Sequence, residues 1–144
     1  EKLVFKHLTS SGVLSKIEAK KRIFREPKKS CDLDVVLSDY STAVRLSGGA
    51  VILAVVGGKM SEGINFSDNL GRCVVMVGLP YPNLHSPELK EKMRYLDRTA
   101  AEVDGKKGGA VHYDNLCMKA VNQSVGRAIR HKNDYAAILL LDHR

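Results

Sequence analysis

The segment Gln123-Ser124-Val125-Gly126-Arg127-Ala128-Ile129-Arg130-His131 holds the residues best suited to chemistry. A helix advances about 100° per residue, so with Gln123 at zero Arg127 falls near ~40° and Arg130 near ~−20°. Three long polar side chains, two of them permanent cations, would then share one stripe. Val121, Val125, Ala128 and Ile129 would lie opposite, able to pack on a core. Gly126 weakens a helix but admits a close neighbour. Two parallel guanidiniums suit an oxyanion such as phosphate. Residue types alone fit an amphipathic helix with two solvated arginines equally well.

A second constellation is the loop Gly57-Gly58-Lys59-Met60-Ser61-Glu62-Gly63-Ile64-Asn65-Phe66. Gly58-Lys59 after an apolar run resembles the end of a phosphate loop. The pattern G-x-x-x-x-G-K-[ST] needs glycine where Leu53 stands and a hydroxyl where Met60 stands, so the match fails. Glycines can still turn backbone N–H groups toward an anion, with Ser61, Glu62 and Asn65 as polar contacts. A plain strand-to-helix turn with solvated polar residues is the competing reading.

These residues need a scaffold, and hydrophobic periodicity supplies one. Residues 2–8 and 13–26 read as helices, the second stopped by Pro27; a third, capped by Asp32, runs to about Leu46. Ala50–Val56, Cys73–Leu79 and Ala136–Leu141 are continuous apolar runs of the kind buried on both faces of a parallel sheet. Ser86-Pro87-Glu88 is a strong helix start, with serine as cap and proline at the first helical position, and that helix should reach about Val103. The last helix covers about Tyr113 to His131 and carries the arginine stripe. Strands alternating with helices indicate an α/β fold with a parallel sheet, whose ligands sit beyond the carboxyl ends of its strands, where the loop after Val56 lies.

The 144 residues suffice for a single domain, expected over 1–144. No apolar run is long enough to span a bilayer, so no membrane partner is expected. The net charge of +7 is local: through Ser30 there are nine Lys and Arg against three Glu, while the rest is nearly balanced. Lys16, Lys20, Lys21 and Arg22, with Arg25, Lys28 and Lys29, could grip a phosphate backbone or form a solvated face. Cys31, Cys73 and Cys117 lack metal or disulfide spacing, and the five histidines are scattered; no metal site is expected, and a reducing, intracellular compartment is.

Together, the loop resembles motif V and Gln123 to Arg130 resembles motif VI of superfamily 2 helicases. With Gly78-Leu79-Pro80-Tyr81-Pro82-Asn83 and Asp134-Tyr135, the match from about Leu14 onward is most similar to the XPD-like iron–sulfur DNA helicases, ChlR-type branch. The resemblance implies the second of two RecA-like motor domains, with a mainly parallel sheet flanked by helices and truncated at the motif IV strand. It implies that Arg127 and Arg130 are arginine fingers and that Gln123 orders the phosphate and attacking water. Gly63, Asn65, Glu62 and Ser61 would form the ATP-binding side of motif V, with Asn65 touching the ribose or an adjacent arginine. Many members carry Asp there; Asn keeps an acceptor oxygen without the charge.

ATP and Mg²⁺ would be held mainly by a first RecA-like domain of the same polypeptide. The Walker lysine, the acidic DEAH box and the cysteines of a 4Fe–4S cluster belong there, not to this chain. The implied partner is DNA and the implied location is the nucleus. Alone, such a domain is expected neither to hydrolyse ATP nor to unwind DNA. Two other readings stay open on residue types: a non-catalytic nucleic-acid-binding module built on Lys16–Lys29, and an RNA-directed helicase or translocase relative.

Overall fold

Gly108 and Gly109 look like loop residues, yet they open the longest helix. The computed structural model describes residues 2–29, 32–46, 48–60, 64–66 and 68–143. In it α4 (Pro87–Thr99) and α5 (Gly108–Val125) pack against each other. A methyl group on Gly109 would sit 2.7 Å from the Met93 carbonyl oxygen and 2.8 Å from Asp97 Oδ1. The bare backbone instead donates from Gly109 N–H to Asp97 Oδ1 at 2.8 Å, so a side chain of one helix satisfies an orphan donor of the other. Helix α4 starts as its sequence predicts: Ser86 Oγ accepts from Leu89 N–H, and Pro87 occupies the first turn.

Two compact units emerge, Glu1–Arg72 with Arg127–Tyr135, and Cys73–Gly126 with Ala136–Arg144. In the first, α1 (Lys2–Ser10) and α2 (Val13–Glu18) precede β1 (Arg22–Arg25), α3 (Leu33–Leu46) and β2 (Ala50–Leu53). β1 and β2 are parallel, Arg22 facing Ala50 and Arg25 facing Leu53. The expected helix over 13–26 therefore ends at Glu18, and Ile23 and Phe24 are strand residues. The core includes Leu14, Tyr40, Ala43, Met60 and Ala128. Phe24, Tyr40 and Phe66 stack edge to face at 5.7 Å per step, and the Tyr40 hydroxyl donates to the Leu70 carbonyl at 2.6 Å. Burial raises the pKa of that phenol.

The second unit holds α4, α5, β3 (Cys73–Val77) and β4 (Ala137–Leu141), the strands again parallel with Cys73 facing Ala137. The fold is mixed α/β, with short parallel strands flanked by helices. Four strands occur among the described residues where three were expected, in two hydrogen-bonded pairs.

The strands are also shorter and less buried than expected. β2 stops at Leu53, not Val56, because its partner β1 ends at Arg25 and leaves nothing for the following residues to pair with. Every residue of β4 is exposed, and Cys73 is exposed too, while Cys117 is buried. Only one flanking strand and a thin contact with α5 cover the β3–β4 pair among the described residues, too little to bury both faces. No described helix is long and apolar enough to cross a membrane.

Gly109→Ala should destabilise the chain by about 1–3 kcal/mol, because the added methyl meets backbone oxygen instead of space. A urea midpoint indistinguishable from that of the parent would show that α4 and α5 do not rely on this close approach.

Candidate functional site

Helix α5 ends at Val125, with Gly126 as its C-cap. The expected helix through His131 is thus corrected: Gln123 remains on α5, exposed and in the second unit, whereas Arg127 and Arg130 lie on irregular backbone in the first. Gly126, of low helix propensity, stands where the chain leaves the helix. A common helical stripe of Gln123, Arg127 and Arg130 does not exist. The arginines are placed by hydrogen bonds instead.

Asp134 is the first anchor. Its side chain is fully buried, and its oxygens accept from Arg72 Nη1 at 2.7 Å, Tyr135 N–H at 3.0 Å, Arg130 N–H at 3.3 Å and Asp68 N–H at 3.5 Å. Burial pushes this carboxyl up, but the Arg72 bond and the backbone donors outweigh it and hold the pKa below the usual carboxylate range. Arg72 also donates to the Tyr135 carbonyl at 2.8 Å and lies 4.0 Å over the Tyr135 ring. Residues 130–135 are thereby fastened to the 68–72 turn, where Asp68 adopts φ +54° and pairs with His131 Nε2 at 3.1 Å.

Potential ligand atoms of Asp68, His131 and Asp134 lie within 4.8 Å of one another. The four donors already fill the lone pairs of Asp134, which makes this carboxylate a structural anchor and not a metal ligand.

The second anchor joins the two motifs. Asn65 Oδ1 accepts from Arg130 Nη2, and the Arg127 carbonyl accepts from Phe66 N–H at 3.1 Å. This is the arginine contact anticipated for Asn65. The Arg130 side chain is exposed; Arg127 is half-buried, and its Nε has no hydrogen-bond partner among the described residues. Arg72 Nε is likewise without a partner among the described residues, so it is the exposed Arg130 guanidinium that is open to an anionic ligand. Met60, singled out in sequence only for breaking the phosphate-loop pattern, is 1% exposed and plugs the loop into the core. Ser61, Glu62, Gly63 and Cys31 lie outside the described residues.

The basic segment does not form one helix face. Lys16 is on α2, Lys20 and Lys21 are in the following turn, and Arg22 opens β1, all exposed. Lys21 Nζ reaches the Gly48 carbonyl at 3.5 Å, and Arg22 lies 5.5 Å over Phe24.

The architecture and motif pairing are those of a helicase C-terminal domain, whose family model matches residues 2–144. The chain belongs to that family. It is 56% identical to the ATP-dependent DNA helicase DDX11 of Danio rerio, covering 100% of this chain and 17% of that protein. It is 49% identical to the ATP-dependent DNA helicase CHL1 of Candida albicans, over 92% of this chain and 16% of that protein. Identity to the ATP-dependent DNA helicase chl-1 of Caenorhabditis elegans is 50%, over 96% of this chain and 16% of that protein. The chain thus spans about one sixth of the length of these curated relatives.

A carboxyl whose folded pKa is depressed contributes stability above its unfolded pKa and loses it as pH falls through the folded value. Asp134, ordinarily near 3.8 and lowered here, should stabilise the chain fully at neutral pH and progressively less below about pH 4. The stability difference between the parent and Asp134→Asn should therefore narrow on acidification. A gap that stays constant from pH 7 to about pH 2 in denaturant titrations would remove Asp134 as a charged anchor.

Proposed function

We propose that this chain is the second motor domain of an ATP-dependent DNA helicase, supplying Arg127 and Arg130 to the triphosphate of an ATP held mainly, with its Mg²⁺, by a first RecA-like domain. The observation that carries the reading is the junction of the motifs: Arg130 donates to Asn65, Phe66 donates to the Arg127 carbonyl, and Arg127 keeps an unpaired Nε. The relatives named above are ATP-dependent DNA helicases, which supports the same reading.

The chemistry follows from charge. As the γ-phosphoryl group transfers, negative charge spreads over its equatorial oxygens, and fixed guanidiniums stabilise it more than they stabilise the ground state. Fingers of this kind are worth about 10³ to 10⁵ in rate, on the order of 4–7 kcal/mol. Delivered from a separate domain, they act only when the two domains close, which couples hydrolysis to movement along DNA. Gln123, exposed at the end of α5, would order the attacking water in the closed state. Lys16, Lys20, Lys21 and Arg22 would meet the DNA phosphate backbone.

Arg130→Ala in the full-length protein should lower the ATPase kcat by about 10³ or more while leaving single-stranded DNA affinity within about twofold. Near-normal turnover would take Arg130 out of the mechanism.

Neutralising Lys16, Lys20, Lys21 and Arg22 together should act on the other property, weakening DNA binding and flattening its dependence on salt by up to about 0.7 per lost contact on single strands. An unchanged salt slope would show that these four side chains do not meet phosphates.

A further inference from the structure

Glu26 immediately follows β1, and its backbone N–H continues the β1–β2 ladder by donating to the Leu53 carbonyl at 3.0 Å. The ladder ends there, with Pro27 next in the chain. The Glu26 side chain then takes over as acceptor for main-chain donors beyond β2. Its Oε2 accepts from Val55 N–H at 3.0 Å and its Oε1 from Met60 N–H at 3.1 Å, so one carboxylate spans the first half of the motif V loop.

Gly58 leaves room for it. A Cβ there would stand 2.4 Å from Oε1 and 2.6 Å from Oε2, although the Gly58 backbone is not in a conformation that excludes side chains. Lys59 Nζ adds a bond to the Lys28 carbonyl at 3.1 Å, tying the same stretch to the chain just beyond Glu26. The anion that residues 55–60 wrap is therefore the protein's own carboxylate.

The far end of the loop is fixed elsewhere, Asn65 on Arg130 and Phe66 on the Arg127 carbonyl. We infer that Glu26 is a positioning residue for the arginines: it sets where the motif V loop begins, and hence where Asn65 presents its oxygen to Arg130. The inference rests on the proposed function, in which Arg130 acts on ATP, and assigns Glu26 no contact with the nucleotide.

The test uses the full-length protein. Glu26→Gln keeps the shape but turns one acceptor into a donor facing an N–H group, so the loop loses one tie. The expected result is a kcat for DNA-stimulated ATP hydrolysis lower by roughly tenfold, with KM for ATP within about twofold and the circular dichroism spectrum unchanged. If Glu26 acts through Asn65, combining E26Q with Asn65→Ala should cost little more than the worse single change.

Gly58→Ala is the second variant, because its methyl expels the carboxylate. It should reproduce the kcat loss in the parent yet change kcat by less than about twofold in a Glu26→Ala background, where the clash is gone.

Arg130→Ala, run alongside, separates the two levels. If R130A is inactive but E26Q turns over normally, or E26Q and N65A multiply, or the E26Q loss tracks loss of folded protein, the positioning role fails and the arginine reading stands. If R130A itself is active, the arginine reading fails and the inference falls with it.

Discussion

A buried carboxylate must be surrounded by donors or it will not stay charged, and the arginine-bearing segment takes its course from that requirement at Asp134. Arg72 alone would leave lone pairs unsatisfied. The backbone N–H groups of Asp68, Arg130 and Tyr135 complete the shell, so the chain must curl round the carboxylate from residue 130 to residue 135. The position of Arg130 follows from backbone hydrogen bonding and not from helix geometry. Such a shell resists small displacements, because opening any one bond leaves a buried charge short of a partner.

Leaving the helix has a mechanical consequence. On a continuous helix, Arg127 and Arg130 would move as one body with Gln123. With α5 ending at Val125, the glutamine and the arginines are carried by different parts of the chain, and Gly126 is the residue between them. Gln123 is placed by α5, whereas the arginine segment lies among contacts made by two carboxylate anchors. Those anchors are of one kind: Glu26 gathers the start of the motif V loop and Asp134 gathers the end of motif VI, each by accepting from main-chain N–H groups.

Much of the scaffold was legible from periodicity and punctuation. α3, α4 and the cores of β2, β3 and β4 fall where apolar spacing, Ser86-Pro87 and the flanking glycines put them. β1 was not legible, because Ile23 and Phe24 satisfy either period over four residues, and only pairing with β2, far along the chain, makes them a strand. α5 begins earlier than its composition suggests because Gly108 and Gly109 are selected by the backbone of α4, a neighbour that sequence spacing does not reveal. Arg127, Arg130 and Asn65 were visible as residue types at motif spacing. The support beneath them was not: Glu26 is an unremarkable acid before a proline, and Asp134 becomes an anchor only once the chain has curled. Apolar Met60 and Phe66 inside a polar loop were the local signs that the loop is pinned to a core.

The neutral partner of Arg130 bears on the energetics of the proposed cycle. A finger must be held where the phosphate will come and must also be given up to it. Aspartate at position 65 would hold the guanidinium with a full opposite charge, and that attraction would have to be offset when the guanidinium turns to a phosphate oxygen. Asparagine offers the same acceptor geometry through Oδ1, but a hydrogen bond to a neutral oxygen is weaker than one to an ionised acceptor, and the guanidinium keeps its charge uncompensated. A ligand shifts an equilibrium only by its differential affinity for the two states. Weakening the resting contact therefore leaves more of the phosphate attraction available to drive closure, provided the resting geometry is kept by something other than that contact. Here it is kept by the main chain, through the Arg130 N–H bond to Asp134 and the Phe66 N–H bond to the Arg127 carbonyl, so on the proposed reading the side chain that would move is not the one that holds the site together.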